Sequence, residues 1–248
     1  MKKLLFMIIG VFILCSVLAS CSQDDTSKQK NYDTAILEAT VIEHDEGLLV
    51  TPVVGSSELL SADRIFVNVR TLDELNDHQY EVGDLLRITY DGMIAESYPA
   101  QIWASKIEHI GRNILIDGYL EIIDDIYQED SALNDNITMI ALDTSQWKAL
   151  MPVEKEILID SLKAKYSLET IEASYNDLVD MGLIDEEELY FTEGILIEIK
   201  DFKYKEGSNI LSAKISKWRS GKGAIGWDVE ASYKDGEWEI IRANTWIS

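Results

Sequence analysis

AILEATVIE (Ala35–Glu43) and LLVTPVV (Leu48–Val54), parted by His44-Asp45-Glu46-Gly47, decide the fold of the first half of this chain. Both runs are rich in aliphatic and β-branched residues. A short acidic link containing glycine between two such runs predicts a β-hairpin. Ile65–Val69 (IFVNV) alternates in the same way and predicts a third strand. Val82-Gly83-Asp84 reads as a turn before a fourth strand over Leu85–Tyr90, and Asp91-Gly92 is a second turn signal. The chain resumes over Met93–Glu96, and Pro99 marks an edge or bulge rather than a central strand. Ile102–Ile107 (IWASKI) closes the unit. Thr71–Gln79 is polar and reads as a short helical connection, with Glu74 three residues after Thr71 as in a capping box. Short strands with almost no helix between them predict a small β-barrel or sandwich over residues 34–110.

Upstream, Lys2 and Lys3 precede an apolar run from Leu4 to Leu14, and small residues then lead to Cys21. That is the three-part layout of a secretory signal. Its ending, Leu18-Ala19-Ser20-Cys21, resembles the lipobox of bacterial lipoproteins. The resemblance implies cleavage before Cys21 and attachment of lipid to its thiol. A membrane-spanning anchor needs about 20 apolar residues, and Cys15 and Ser16 interrupt this run. Residues 1–20 are therefore read as a signal peptide. Residues 21–33 (SQDDTSKQKNYD after Cys21) are read as a lipid-anchored flexible tether with a reach of roughly 20 Å. The expected address is the extracytoplasmic face of the cell membrane.

Removing the signal takes Lys2 and Lys3 with it, leaving 20 basic residues against 45 acidic ones, a net charge of −25. Nucleic acid and anionic surfaces repel such a protein, which excludes nucleic-acid binding as a main role. Cys15 leaves with the signal and Cys21 carries the lipid, so the folded part has no disulfide and no thiolate metal site.

Ser61-Ala62-Asp63, Val82-Gly83-Asp84 and above all YDGMIAESYPAQI (Tyr90–Ile102) resemble the YobA-like domain of unknown function, found in small lipoproteins of Gram-positive bacteria. The resemblance covers residues 34–110. It implies a compact barrel of the oligonucleotide/oligosaccharide-binding type in an envelope protein, and no reaction. Within the string, Glu96, Tyr98 and Gln101 form either a ligand-reading loop or a corner in which Tyr98 and Pro99 cover a barrel end. His44, His78 and His109 share no metal-ligand spacing, so no metal site is expected.

Residues 111–248 predict a second, α+β domain. Asp117–Gln128 places Tyr119, Leu120, Ile122, Ile123, Ile126 and Tyr127 at helical spacing with acids outside. Ile137–Leu142 predicts a strand. Pro152 begins a second helical pattern through Tyr166, and Ser174 caps a third that stops at Gly182. Ile195–Tyr204, Ile210–Trp218, Ala224–Tyr233 and Glu237–Arg242 then predict a mainly antiparallel meander. In element order this resembles the curved-sheet folds of cystatin or nuclear-transport-factor type.

One charge anomaly stands out. Residues 203–222 carry six cations against Glu206 alone. Lys217, Trp218, Arg219 and Lys222, in KWRSGKGAIGW, are the candidate patch for a ligand or partner. The competing reading pairs these cations with acids of the same domain such as Asp185–Glu188. Gly221-Lys222-Gly223 lacks the glycine spacing of a phosphate-binding loop. No nucleophile elbow, zinc-protease motif or dinucleotide loop is present, and no catalytic residue or cofactor is expected. The reading is a membrane-tethered module that binds a protein, glycan or small-molecule ligand. Its alternatives are an enzyme with a pocket in the second half, or an accessory subunit of a transporter or sensor.

Overall fold

The computed structural model describes residues 34–44, 47–69, 80–205 and 207–248, which belong to one compact unit. The signal, the Cys21 attachment site, the tether and the helical connection expected over Thr71–Gln79 lie outside the described residues.

Five strands close into a barrel in the order β1-β2-β3-β5-β4: β1 (Ala35–Glu43), β2 (Leu48–Pro52), β3 (Ile65–Val69), β4 (Asp84–Tyr90) and β5 (Ala100–Arg112). Neighbours are antiparallel except β3 and β5, which run parallel with Ile65 opposite Ala100. Alternation builds the core. Leu37, Ala39 and Val41 point inward with Leu48, Val50, Ile65, Val67, Leu86, Ile88 and Ile102, all nearly free of solvent. β5 is much longer than the expected Ile102–Ile107. Its first residues pair with β3, its later ones with β4, and Ala104 has a partner on both. Bulges beside Leu85 and Tyr90 bend the ladder so that one strand can serve both neighbours.

The second half follows after a single residue. Asn113 caps α1 (Ile114–Gln128), its Oδ1 accepting from the N–H groups of Leu115 and Ile116 at 3.1 and 3.3 Å. Its Nδ2 donates to Thr40 Oγ1 of β1 at 3.0 Å and to Glu154 Oε1 at 2.8 Å. Glu154 lies in the first turn of α2 (Pro152–Tyr166), where it also accepts from the Met151 N–H. One asparagine thus joins the barrel and two helix starts, and Thr40 and Glu154 are both buried. Burial holds the Glu154 carboxyl above its usual range. Beside it, Arg112 spans the same joint, donating to both oxygens of Asp117 and to Asp84 Oδ1 at 3.1 Å.

The remaining strands form one eight-stranded sheet. A meander of β10 (Gly194–Lys205), β11 (Ile210–Ser220), β12 (Gly223–Lys234) and β13 (Glu237–Ile247) matches the antiparallel expectation. β6 (Met139–Asp143) and β7 (Glu169–Glu172) extend it beyond β10 in parallel. The sheet is therefore mixed, because the α2 crossover returns the chain in the direction of β6. α1 and α2 cover one face, burying Ile195, Ile197, Ile199, Ile215, Ile225, Trp227 and Val229 against Ile122, Ile126, Leu158 and Leu162. On the other face, α3 (Tyr175–Asp180) and the small hairpin of β8 (Ile184–Asp185) and β9 (Tyr190–Phe191) cover only the end around Met139, Ala141 and Leu196. Among the described residues, no helix is long and apolar enough to cross a membrane.

Candidate functional site

The uncovered part of that second sheet face is where the site forms. Strand pairing lays its residues out in rows. Glu198, Ser216, Gly226 and Trp246 stand opposite one another across β10, β11, β12 and β13. Leu196, Trp218 and Ala224 form the row on one side, and Lys200, Lys214 and Asp228 the row on the other. Together with Tyr175 of α3, these rows enclose a half-open cleft of about 470 Å³.

Trp218 and Trp246 wall the cleft, and the buried Trp227 also lines it. Trp218 is half-buried and meets Tyr175 edge-on at 5.3 Å. Trp246 is 46% exposed, and a bulge puts it there. Between Gly226↔Trp246 and Asp228↔Ala243, β13 uses one residue more than β12. Before the bulge, Trp238 and Ile240 pack on the helix-covered core. The extra residue reverses the parity and turns Trp246 to the cleft face. Asn244 takes up the left-handed conformation at the bulge (φ 51°), and its Nδ2 donates to Asp228 Oδ2 at 2.6 Å. Gly226 makes room: a Cβ there would stand 2.7 Å from the Trp246 ring and 2.7 Å from the Ile215 carbonyl oxygen.

The polar lining is balanced. Glu198 pairs with Lys200 at 2.8 Å and accepts from Ser216 Oγ at 3.3 Å. Lys214 pairs with Asp201 at 2.6 Å, which raises the Lys214 ammonium and lowers the Asp201 carboxylate from their usual values. Glu198 and Asp228 with Lys200 and Lys214 therefore line one cavity beside Trp218 and Trp246, and Asp201 stands outside it.

The four residues of the expected patch do not share one face. Lys217 and Arg219 point away from Trp218, as alternation along β11 requires. Lys217 is fully buried. Its Nζ donates to the carbonyl oxygens of Tyr127 (3.2 Å), Glu129 and Asp130 (3.3 Å) and to Asn134 Oδ1 (3.2 Å). α1 carries no basic residue in its last turn, whereas α2 has Lys163 and Lys165 there. Lys217 supplies the missing cation from the neighbouring sheet. Burial pushes its ammonium down to about 8. Arg219 Nη1 donates to the carbonyl oxygens of Leu133 and Asp135 at 2.9 and 2.8 Å, with its guanidinium 5.6 Å from the Tyr190 ring. Lys222 stands exposed in the β11–β12 turn. Carbonyl groups of residues 127–135, rather than the Asp185–Glu188 acids, thus take up two of the cations. Trp218 alone of the four lines the cleft.

In the barrel, Glu96 lines a separate open hollow of about 620 Å³ with Leu60, Ser61, Ile94 and Ser97. Tyr98 is 72% exposed. Gln101 Oε1 accepts from Asn68 Nδ2 at 3.3 Å, which ties it to β3. His109 Nε2 lies 3.4 Å from Asp84 Oδ1, and His78 is outside the described residues. Among the described residues, no three His, Cys, Asp or Glu side chains gather as metal ligands.

A protein family described as a protein of unknown function (DUF3221) matches residues 53–110. The match starts just after β2 and takes in β3, β4 and most of β5, including the loop from Asp91 to Pro99. It does not reach the cleft. No curated protein and no solved structure matches the chain.

Proposed function

We propose that this chain is a lipid-anchored extracytoplasmic binding protein whose ligand enters the cleft between Trp218 and Trp246. One observation carries the binding reading: a cavity of about 470 Å³, within the size range of ligand sites, set on four paired strands with a bulge that turns an indole into it. The address rests on the Leu18–Cys21 ending. The barrel's closed order, with β3 parallel to β5, supports the YobA-like, oligonucleotide/oligosaccharide-binding type of fold. The β10–β13 meander over α1 supports the cystatin or nuclear-transport-factor likeness, to which the parallel β6–β7 edge is an addition. The enzyme alternative draws on Glu198 and Asp228 in the same cleft. Each is held by a partner, Glu198 by Lys200 and Asp228 by Asn244, and keeps acceptor sites for a ligand.

Two experiments test the two parts. Cys21→Ala is expected to abolish incorporation of labelled fatty acid, and label on the alanine variant would defeat the anchor. A thermal-shift screen of small molecules is expected to yield ligands that raise the Tm of the wild type. At a hundredfold excess over Kd the gain is about 2.7 kcal/mol, or roughly 5–10 °C for a chain of this size. The same compounds are expected to leave Trp218→Ala/Trp246→Ala unshifted. Equal shifts in both proteins would place the ligand elsewhere and defeat the cleft.

A further inference from the structure

We infer that the cleft's ligand is a neutral saccharide of about two rings; this rests on the cleft being the ligand site. The chemistry of the lining selects the class. A pyranose has apolar C–H faces and a rim of hydroxyls that both donate and accept. The cleft offers the complement: indole walls at Trp218 and Trp246, with Tyr175 behind, and a polar floor at Ser216, Glu198, Lys200, Lys214 and Asp228. Aromatic side chains suit such half-apolar, half-wet contacts.

Other classes fit less well. An apolar ligand would remove water from Glu198, Lys200 and Asp228 without replacing their hydrogen bonds, a loss for every charged group it covers. A small anion would meet Glu198 and Asp228, and a small cation would meet Lys200 and Lys214, so each gains one pair of charges and loses the other. A polyanion is further opposed by the net charge of −23 over the whole chain. A neutral polyol escapes both penalties, because hydroxyls bond to carboxylate and ammonium alike.

Size agrees. From Glu198 on β10 to Trp246 on β13 is three strand spacings, about 14 Å, which is long enough for two linked pyranose rings. The cleft is half-open rather than sealed, so it does not shut out a longer glycan.

The test uses the full-length chain in a detergent without a sugar headgroup. Cellobiose, maltose and N,N′-diacetylchitobiose serve as probes, with glycine, glutamate and inorganic phosphate as counter-probes. Binding is read by tryptophan fluorescence titration and by saturation transfer to the sugar ring protons. At least one disaccharide is expected to bind. Trp246→Ala and Trp218→Ala should each weaken it about tenfold or more, while Trp246→Phe keeps most of the affinity. Trp103→Ala, on the outer barrel, should change nothing, and circular dichroism checks that each variant folds. No binding of any disaccharide, or binding that survives both alanine changes, overturns the inference. Binding of a counter-probe in the cleft without any saccharide also overturns it, yet leaves the cleft standing as a ligand site.

Discussion

Lys217→Met is expected to lower the unfolding free energy by about 3 kcal/mol at neutral pH. The methionine keeps the volume but removes a donor shared by three carbonyl oxygens and Asn134 at the end of α1. Leaving buried acceptors unpaired costs about 1–3 kcal/mol each, and the acids at the helix end lose their compensating charge. The pH dependence separates this account from simple loss of packing. The Lys217 ammonium is held at about 8 by burial, below its usual value of about 10.4. Between those values the unfolded chain binds more protons than the folded one, so this group's contribution rises with pH. Below pH 8 the cost of burying the charge is fully present. The advantage of the wild type over Lys217→Met is therefore expected to widen from pH 8 to pH 10, as read by urea denaturation. A gap that stays flat or narrows over that range would refute the lowering of the Lys217 ammonium by burial.

Asn113→Ala is expected to cost a similar amount, about 3 kcal/mol, for a different reason. Loss of the α1 cap accounts for about 1 kcal/mol. The rest comes from Thr40 and Glu154, both buried and both deprived of the Nδ2 donor. Asn113→Ser separates the two parts. A serine keeps an N-cap oxygen but cannot reach Thr40 and Glu154, so about 1 kcal/mol should return and no more. Urea denaturation of the three proteins reads all of this. An alanine variant within about 0.5 kcal/mol of wild type would show that the barrel and the α+β half do not depend on this joint.

The barrel is the part most openly written in the sequence, because its residues alternate. Leu37, Ala39 and Val41 face in while Ile36 and Glu38 face out, and β1 has the expected bounds. β5 is longer than its pattern suggests. Beyond Ile107 its residues are half-covered or exposed on both faces, so no alternation marks Glu108 to Arg112. The parallel β6–β7 edge was hidden because β7 is only four residues long, with a single buried one. The basic run was visible as charge but not as geometry. Linear reading groups Lys217, Trp218 and Arg219, whereas the pleat sends Trp218 to one face and its two neighbours to the other. The cleft has no linear signature either. Its residues come from four strands and one helix, and they meet only once the register is set. The single local cue is Asn244, a residue that tolerates the left-handed conformation of a bulge. It ends the apparent strand at Arg242 and so conceals that Trp246 continues it on the other face.

If the cleft and not the barrel loops receives the ligand, the indole N–H resonances report it. The chain has six tryptophans. Trp218 and Trp246 wall the cleft, Trp103 sits on the barrel, and Trp238 packs with Tyr233 at 5.3 Å on the helix-covered side. In protein labelled with ¹⁵N at tryptophan, a compound that raises the Tm should move the Trp218 and Trp246 signals while Trp103 and Trp238 stay in place. Movement of Trp103 with Trp218 and Trp246 unchanged would rule out the cleft and assign the ligand to the barrel.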